Sequence, residues 1–400
     1  MTHLPLRRGI AGSPGRRAAA LRGLLLAGIL GTLASGCGPH PAPQTVIIAA
    51  TATANEPAPV LSADIMQMLQ SAGANSTGAT AYVVDPATGQ PVTISLTPHR
   101  PNGQVDHGPT RSQHLAANIA AVQHVLDREA ARGPFDLLNT LAAATRAAPP
   151  PATLIVLSSG LSTAGGLDMR QAGWDLSPAS IAAELKARGL QPNLAGYHVI
   201  FSGLADTSGR QPALPLPQQR TLTATWLAIC RASGAAPCST DEMTRPNPPS
   251  RSTTPVPAVP VPAIISVHGH GGTTTTTLPD PLLFPFDSSA LLPTADSILQ
   301  PVVNQARSQD LRISVTGYAS PDGGTTAYNN GLSGRRAEAV SRRLRALGLP
   351  AAQIIKVTGA GTAGRSPAAC LVQGQLDEAI CAQLRRVVIT SSPAAALSVN

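Results

Sequence analysis

Residues 317–344 read GYASPDGGTTAYNNGLSGRRAEAVSRRL. This stretch predicts the end of a strand, a glycine-rich turn and a long helix that begins with polar residues. The N–H groups of such a turn and of a helix start are free to bind an anion, and Arg336 lies on the helix beside them. The stretch therefore predicts a concave binding site that presents backbone donors and one arginine.

The surrounding residues, 278–393, predict a β-α-β-α-β type of α+β domain. Strands are expected at 280–286, 311–319, 354–359 and 386–390. Helices are expected at 293–308 and 376–384, and the long helix after the second strand is expected to end at 347. On the long helix one apolar stripe should face the sheet: Ala337, Val340, Leu344 and Leu347. Asn329, Leu332 and Arg336 form an adjoining stripe next to the turn.

This segment resembles the OmpA-like peptidoglycan-binding domain. The motifs that carry the resemblance are FPFD at 284–287, GYASPDG at 317–323, N-x-x-L-S-x-x-R-A-x-x-V at 329–340 and RRV at 385–387. The resemblance implies binding of the diaminopimelate part of peptidoglycan, with Arg336 holding a ligand carboxylate. The implied ligand-binding residues are Ala319, Ser320, Asp322, Asn329, Leu332, Arg336 and Arg386.

The site departs from the family pattern at its acidic position. Ser320 stands where the family has the aspartate that pairs with the ligand ammonium, and Asp322 is the nearby carboxylate that would replace it. The alternative is that Asp322 only shapes a Pro-Asp-Gly turn. For Arg336 the alternative is a solvated arginine on the helix surface, although no acid lies three or four residues from it on the helix.

The N-terminus predicts an export signal. Residues 1–22 are basic, residues 24–33 are almost wholly apolar, and small residues precede Cys37. The segment resembles bacterial lipoprotein signals, which implies cleavage before Cys37, acylation of its thiol and anchorage to a membrane. The alternative is an ordinary secretory signal with an incidental cysteine.

Four further cysteines stand in two sequence-local pairs, Cys230 with Cys238 and Cys370 with Cys381. An even number in an exported chain predicts two disulfides. A four-cysteine metal site is the alternative, but neither pair has the short spacing that such sites use. We expect no metal and no cofactor.

Residues 45–243 alternate apolar strands with amphipathic helices, which predicts a doubly wound α/β domain. Strings such as TLIVLSSGLSTAG at 153–165 resemble von Willebrand A-type domains, although the acids of that family's metal site are missing. Thr51, Thr53, Asn55 and Glu56 are expected to gather at the carboxyl edge of the sheet and to bind a partner. The sequence has no catalytic motif, so we expect no enzyme, and three histidines are expected at the surface: His107, His114 and His124.

Charge and composition define the other segments. Of 29 basic residues five lie in the first 36 positions, which leaves 24 against 21 acidic residues, so no nucleic-acid partner is expected. Residues 244–277 are rich in proline and threonine and predict an extended spacer, in which His268 and His270 are solvated. The predicted order is signal 1–36, lipidated tether 37–44, α/β domain 45–243, linker 244–277, OmpA-like domain 278–393 and tail 394–400.

These observations predict a non-catalytic lipoprotein of the cell envelope, on the outer membrane or the outer face of the cytoplasmic membrane. It would bind peptidoglycan and tether a membrane and the α/β domain, with its possible envelope partner, to the wall. Two alternatives place the function in residues 45–243, either as a hydrolase that acts on the wall or as an adhesin.

Overall fold

The computed structural model describes residues 44–128, 135–174, 177–241, 246–285, 287–322, 324–372, 374–376 and 378–394. The predicted signal, Cys37 and nearly all of the predicted tether and tail lie outside these residues. Residues 42–400 form one compact unit. Among the described helices, none has the length and apolar character needed to cross a bilayer.

The N-terminal half contains eight strands and six helices within the described residues. In chain order they are β1 Gln44–Ala50, α1 Ala63–Ala74, β2 Ala79–Val84, β3 Pro91–Ser95, α2 Arg111–Leu126, α3 Leu137–Ala147, β4 Ala152–Leu157, β5 Thr163–Ala164, β6 Leu167–Asp168, α4 Met169–Ala172, α5 Pro178–Ala187, β7 Tyr197–Ser202, α6 Leu216–Ala232 and β8 Cys238–Thr240. Six of the strands form a sheet in the order β3-β2-β1-β4-β7-β8. Strand β3 is antiparallel to β2, and the other neighbours are parallel.

Strand β1 shows why the strands of this sheet read as apolar runs. Ile47 and Ala49 belong to a core shared with α3, α5 and α6, whereas Ile48 and Ala50 belong to a core shared with α1 and α2. Because both faces of the strand are covered from Val46 onward, its successive side chains at 46–50 are all apolar. The prediction of a mixed α/β chain is confirmed.

The C-terminal half continues with β9 Ile265–His268, β10 Thr274–Pro279, α7 Asp280–Leu283, α8 Ala295–Ser308, β11 Leu311–Tyr318, α9 Thr326–Ala346, β12 Ile354–Gly359, β13 Leu371–Val372, β14 Gln375–Leu376, α10 Glu378–Leu384 and β15 Arg386–Pro393. Five strands form a second sheet in the order β12-β11-β15-β10-β9. Strands β11 and β12 are parallel, and the other neighbours are antiparallel. Helices α8 and α9 share a core with one face of this sheet.

The first strand of the C-terminal sheet is not where the sequence predicted it. Residues 274–279, mostly threonine, form β10, and residues 280–283 of the predicted strand form the short helix α7. Threonine is β-branched and suits a strand. Pro281 cannot donate a hydrogen bond to a strand ladder but is tolerated in the first turn of a helix, so the strand ends at this point.

The predicted spacer is also different in the structure. Residues 246–263, here called the proline segment, lie against the N-terminal half. The Asn55 side-chain amide donates to the carbonyl oxygens of Val256 and Pro257 at 3.1 Å each, and Trp174 Nε1 donates to that of Pro260 at 2.7 Å. A proline-rich chain keeps its carbonyl acceptors while losing N–H donors, so donor side chains can fix it in place.

The histidines lie mostly at the surface. His107, His124, His268 and His270 are exposed. Within the β9–β10 hairpin, His268 Nδ1 lies 3.0 Å from Thr274 Oγ1. His114 is half-buried, and its Nδ1 lies 2.8 Å from a carboxylate oxygen of Asp106. Its imidazole is therefore paired with a buried acid as well as partly exposed to solvent.

Both predicted disulfides are present, Cys230–Cys238 and Cys370–Cys381. The first links the end of α6 to β8, and the second links residue 370 to α10. Within the described residues, one group of three potential metal ligands was found, Asp322 with Cys370 and Cys381. Its two sulfurs are joined to each other, so they are not thiolate ligands.

The carboxyl edge of the six-stranded sheet is built around one buried acid, Glu56. Its Oε1 lies 2.7 Å from Thr51 Oγ1 and from the Ser159 amide nitrogen, and 3.1 Å from Ser158 Oγ. Its Oε2 accepts from the Thr53 amide at 2.9 Å and from the Thr53 hydroxyl at 2.8 Å. The predicted gathering of Thr51, Thr53 and Glu56 is therefore observed, but these groups bind each other and hold β1 to β4. Binding of a partner there stays a prediction.

Helix α9 approaches the second sheet closely at two glycines. A Cβ atom on Gly317 would lie 2.1 Å from the Ser333 carbonyl oxygen, and one on Gly359 would lie 2.4 Å from the Gly334 nitrogen. Ser333 Oγ also accepts a hydrogen bond of 2.9 Å from the Gly361 amide. The two strands can therefore pack directly against the helix backbone.

Substitution of Gly317 by alanine is expected to lower the free energy of unfolding by about 1–3 kcal/mol, because the added methyl meets backbone that must move. Gly334→Ala is the matched control on the same helix, where a Cβ meets nothing within 4 Å. It should raise stability by about 0.5–1 kcal/mol, since alanine is favoured in a helix interior. Urea denaturation of residues 42–400 measures both. Equal effects of the two substitutions would contradict the close packing.

Glu56→Gln is expected to lower the free energy of unfolding by about 1–3 kcal/mol, because the amide NH2 would face donors that now bind a carboxylate oxygen. Glu184→Gln, on an exposed part of α5, should change it by no more than about 0.5 kcal/mol. The same denaturation measurement decides. A Glu56→Gln protein as stable as the Glu184→Gln protein would show that the buried carboxylate does not hold the edge together.

Candidate functional site

A groove of about 570 Å³ opens beside the turn between β11 and α9. Six of the seven predicted ligand-binding residues line it, namely Ala319, Ser320, Asp322, Asn329, Leu332 and Arg336. Four other lining side chains with polar groups were not among the predicted ligand-binding residues, namely Asp287, Thr325, Tyr328 and Arg385. The turn and the helix therefore form one concavity, as their order in the sequence predicted.

The N-terminal turn of α9 sets the shape of this groove. Thr325 caps the helix, and its hydroxyl accepts a hydrogen bond of 3.2 Å from the Tyr328 amide. Gly324, at φ +74°, provides the sharp turn before the cap. Asn329, Leu332 and Arg336 follow at helical spacing on one buried stripe.

Arg336 is buried and already has an acidic partner. Its side chain is 3% exposed, and its guanidinium forms an ion pair with Asp280, which is 2% exposed. Its Nε donates to the Ser288 carbonyl oxygen at 2.8 Å, and the guanidinium lies 5.3 Å from the centre of the Phe284 ring. The alternative of a solvated surface arginine is therefore wrong. The predicted role of Arg336 toward a ligand stays a prediction.

Asp322 is paired as well. Arg385 Nη1 lies 3.0 Å from Ser320 Oγ and 3.2 Å from Asp322 Oδ2. Arg385 thus joins the family's acidic position, occupied here by serine, to the aspartate two residues later. Asp322 does more than shape a turn, because its carboxylate closes this network at the groove wall.

Arg386 does not line the groove, so its predicted role as a ligand-binding residue stays a prediction. Its guanidinium stacks 4.5 Å from the centre of the Tyr318 ring and donates to the carbonyl oxygens of Gln383 and Leu384. The side chains of successive residues at the start of a strand point to opposite sides. The neighbouring residue Arg385 therefore lines the groove when Arg386 does not. Burial, followed by the charge of nearby Arg365, lowers the pKa of Arg386.

Asp287 places a second acidic side chain at the rim of the groove, after Asp322. Its backbone has φ +53°, and its Oδ1 accepts a hydrogen bond of 2.5 Å from the Tyr328 hydroxyl. This hydrogen bond to a carboxylate is the main reason why the pKa of Tyr328 is raised. The FPFD motif thus ends in an exposed carboxylate that faces the first turn of α9.

Comparisons with known proteins place a family match in the C-terminal half of the chain. Residues 283–369 match the OmpA family. The peptidoglycan-associated lipoprotein from Burkholderia pseudomallei is 30% identical, over 28% of this chain and 88% of that one, with a TM-score of 0.24. The cell wall anchor of the T6SS from Pseudomonas aeruginosa is 22% identical, over 32% and 87%, with a TM-score of 0.27. A putative MotB-like protein from Desulfovibrio vulgaris is 23% identical, over 32% and 78%, with a TM-score of 0.27.

No curated protein matches the chain. The assignment rests on the family match, which spans the FPFD motif, the turn at 317–323 and the motif at 329–340. Residues 283–369 of this chain are therefore an OmpA family domain.

Proposed function

We propose that this protein binds peptidoglycan without catalysis, through the groove beside α9. The observation that carries the proposal is that six residues which the OmpA-like resemblance implies for binding line a single groove. The match of residues 283–369 to the OmpA family supports the same function.

The chemistry of the groove suits a diaminopimelate side chain. Asp287 and Asp322 supply carboxylates for an ammonium group, and Asn329 supplies an amide that can both donate and accept hydrogen bonds. Ala319 and Leu332 supply apolar surface for the methylene stem of the ligand. An ammonium group and a short apolar chain are the parts of the diaminopimelate side chain that these groups would contact.

We also propose that acylated Cys37 anchors the chain to a membrane of the cell envelope. Two moderate attachments on one chain, lipid to membrane and groove to wall, hold better than either alone. The N-terminal half would then be a doubly wound, von Willebrand A-like domain that binds an envelope partner. The parallel order β2-β1-β4-β7-β8 and the cores on both faces of this sheet support that assignment.

Asn329→Ala is expected to weaken co-sedimentation of residues 42–400 with purified insoluble peptidoglycan by about tenfold, because a buried amide that lines the groove is lost. Alanine favours a helix, so α9 should remain folded. Asn304→Ala, on an exposed part of α8, is the matched control and should sediment like the unmodified protein. Failure of the unmodified protein to sediment would refute peptidoglycan binding, and equal loss in both variants would refute the role of the groove.

The full chain, produced in a host that processes lipoproteins, is expected to partition into the detergent phase of a Triton X-114 extract. Cys37→Ser should move it to the aqueous phase, because one acylated thiol supplies the hydrophobic attachment. Cys37→Ser protein that stays in the detergent phase would exclude Cys37 as the anchor.

A further inference from the structure

The two arginines that line the groove both have carboxylate partners from the chain itself. Arg336 is paired with Asp280, and both side chains are almost wholly buried. Arg385 is paired with Asp322 and also reaches Ser320. A carboxylate from a ligand would therefore meet guanidinium groups whose charge is already balanced.

The remaining charge of the groove is negative. Asp287 is exposed, and the Tyr328 hydroxyl that hydrogen-bonds to it is neutral. Among the described residues in and directly behind the groove wall, two arginines thus stand against three aspartates. Arg335 is close enough to influence Tyr328, but it is exposed on another face of α9 and does not line the groove.

This balance of charge favours a ligand that carries an ammonium group and repels one that adds a carboxylate. An amide in place of the ligand carboxylate removes the repulsion and adds two N–H donors. The donors would suit a wall that presents carboxylate oxygens from Asp287 and Asp322.

We propose that the groove selects stem peptides in which the side-chain carboxyl of diaminopimelate is amidated, and that Asp280 sets this preference by neutralising Arg336. The proposal rests on the proposed function and specifies its ligand class. Asp280 acts as a specificity-determining residue without lining the groove. It is the first residue of helix α7, immediately after strand β10.

The test is calorimetric titration of residues 42–400 with two synthetic tripeptides, L-Ala-γ-D-Glu-meso-diaminopimelate and the same peptide with the side-chain carboxyl amidated. The amidated peptide is expected to bind at least about tenfold more tightly, the effect of one unfavourable charge contact. Equal binding, or tighter binding of the free carboxylate, would overturn the inference and leave peptidoglycan binding intact. Binding of neither peptide, with no sedimentation on peptidoglycan, would overturn both.

Two variants test the source of the preference. Asp280→Asn releases the charge of Arg336 and should bring the two affinities to within about threefold of each other. Asp287→Asn removes the exposed carboxylate and should weaken the amidated peptide more than the free one. Glu338→Gln, an exposed acid on α9 away from the groove, is the control and should leave the ratio unchanged.

Asp280→Asn leaves a buried guanidinium with less compensation, so its folding is checked first by circular dichroism. A folded Asp280→Asn protein that keeps the full preference overturns the role of Asp280. Where that variant does not fold, Asp287→Asn decides. An unchanged affinity ratio in Asp287→Asn then overturns the electrostatic basis of the selection.

Discussion

The close approach of α9 to the second sheet is the constraint on which the binding groove depends. Gly317 and Gly359 let strands β11 and β12 reach the backbone of the helix near Ser333, where any side chain on those glycines would collide. This contact fixes the axis of the helix over the sheet, and it therefore fixes how the turn at 319–325 meets the first turns of α9. The stripe of Asn329, Leu332 and Arg336 borders the groove because the helix cannot rotate or lift away without losing that contact. The geometry of the site is thus set by two glycines that do not themselves line the groove.

The buried ion pair of Asp280 and Arg336 is a second constraint on the groove. Burying two opposite charges costs desolvation energy that their attraction only partly returns, so such a pair contributes little to net stability. The pair instead fixes the position of the Arg336 side chain. Its guanidinium is held between Asp280, the Ser288 carbonyl oxygen and the Phe284 ring. The short helix α7 brings Asp280 to that position. The position of Asp280 at the start of α7 therefore determines the electrostatic surroundings of Arg336.

Sequence patterns succeeded where the information was local. Apolar runs predicted the mixed α/β character of the N-terminal half, the motif at 329–340 identified the stripe on α9, and the two cysteine pairs are joined as predicted. They failed where a distant partner or a single-residue register decides. No spacing rule connects Asp280 with Arg336. Immediately before β15, Arg385 lines the groove where the sequence predicted Arg386. The composition of the poly-threonine run and of the proline segment is typical of a spacer. Strand pairing and donor side chains elsewhere in the chain nevertheless give both of them fixed places.

In each half of the chain, a buried carboxylate is paired with hydrogen-bond donors of the same chain. At the edge of the first sheet, Glu56 accepts hydrogen bonds from hydroxyl and amide groups. Behind the groove, Asp280 balances the charge of the Arg336 guanidinium. The consequences differ because the surroundings differ. Around Glu56 the donors are short groups on strand ends, and the proline segment is held nearby through Asn55. A partner that used this edge would have to displace both the segment and the carboxylate. Around Arg336 the groove remains open, so the acid changes which ligand charge is accepted and leaves access unchanged.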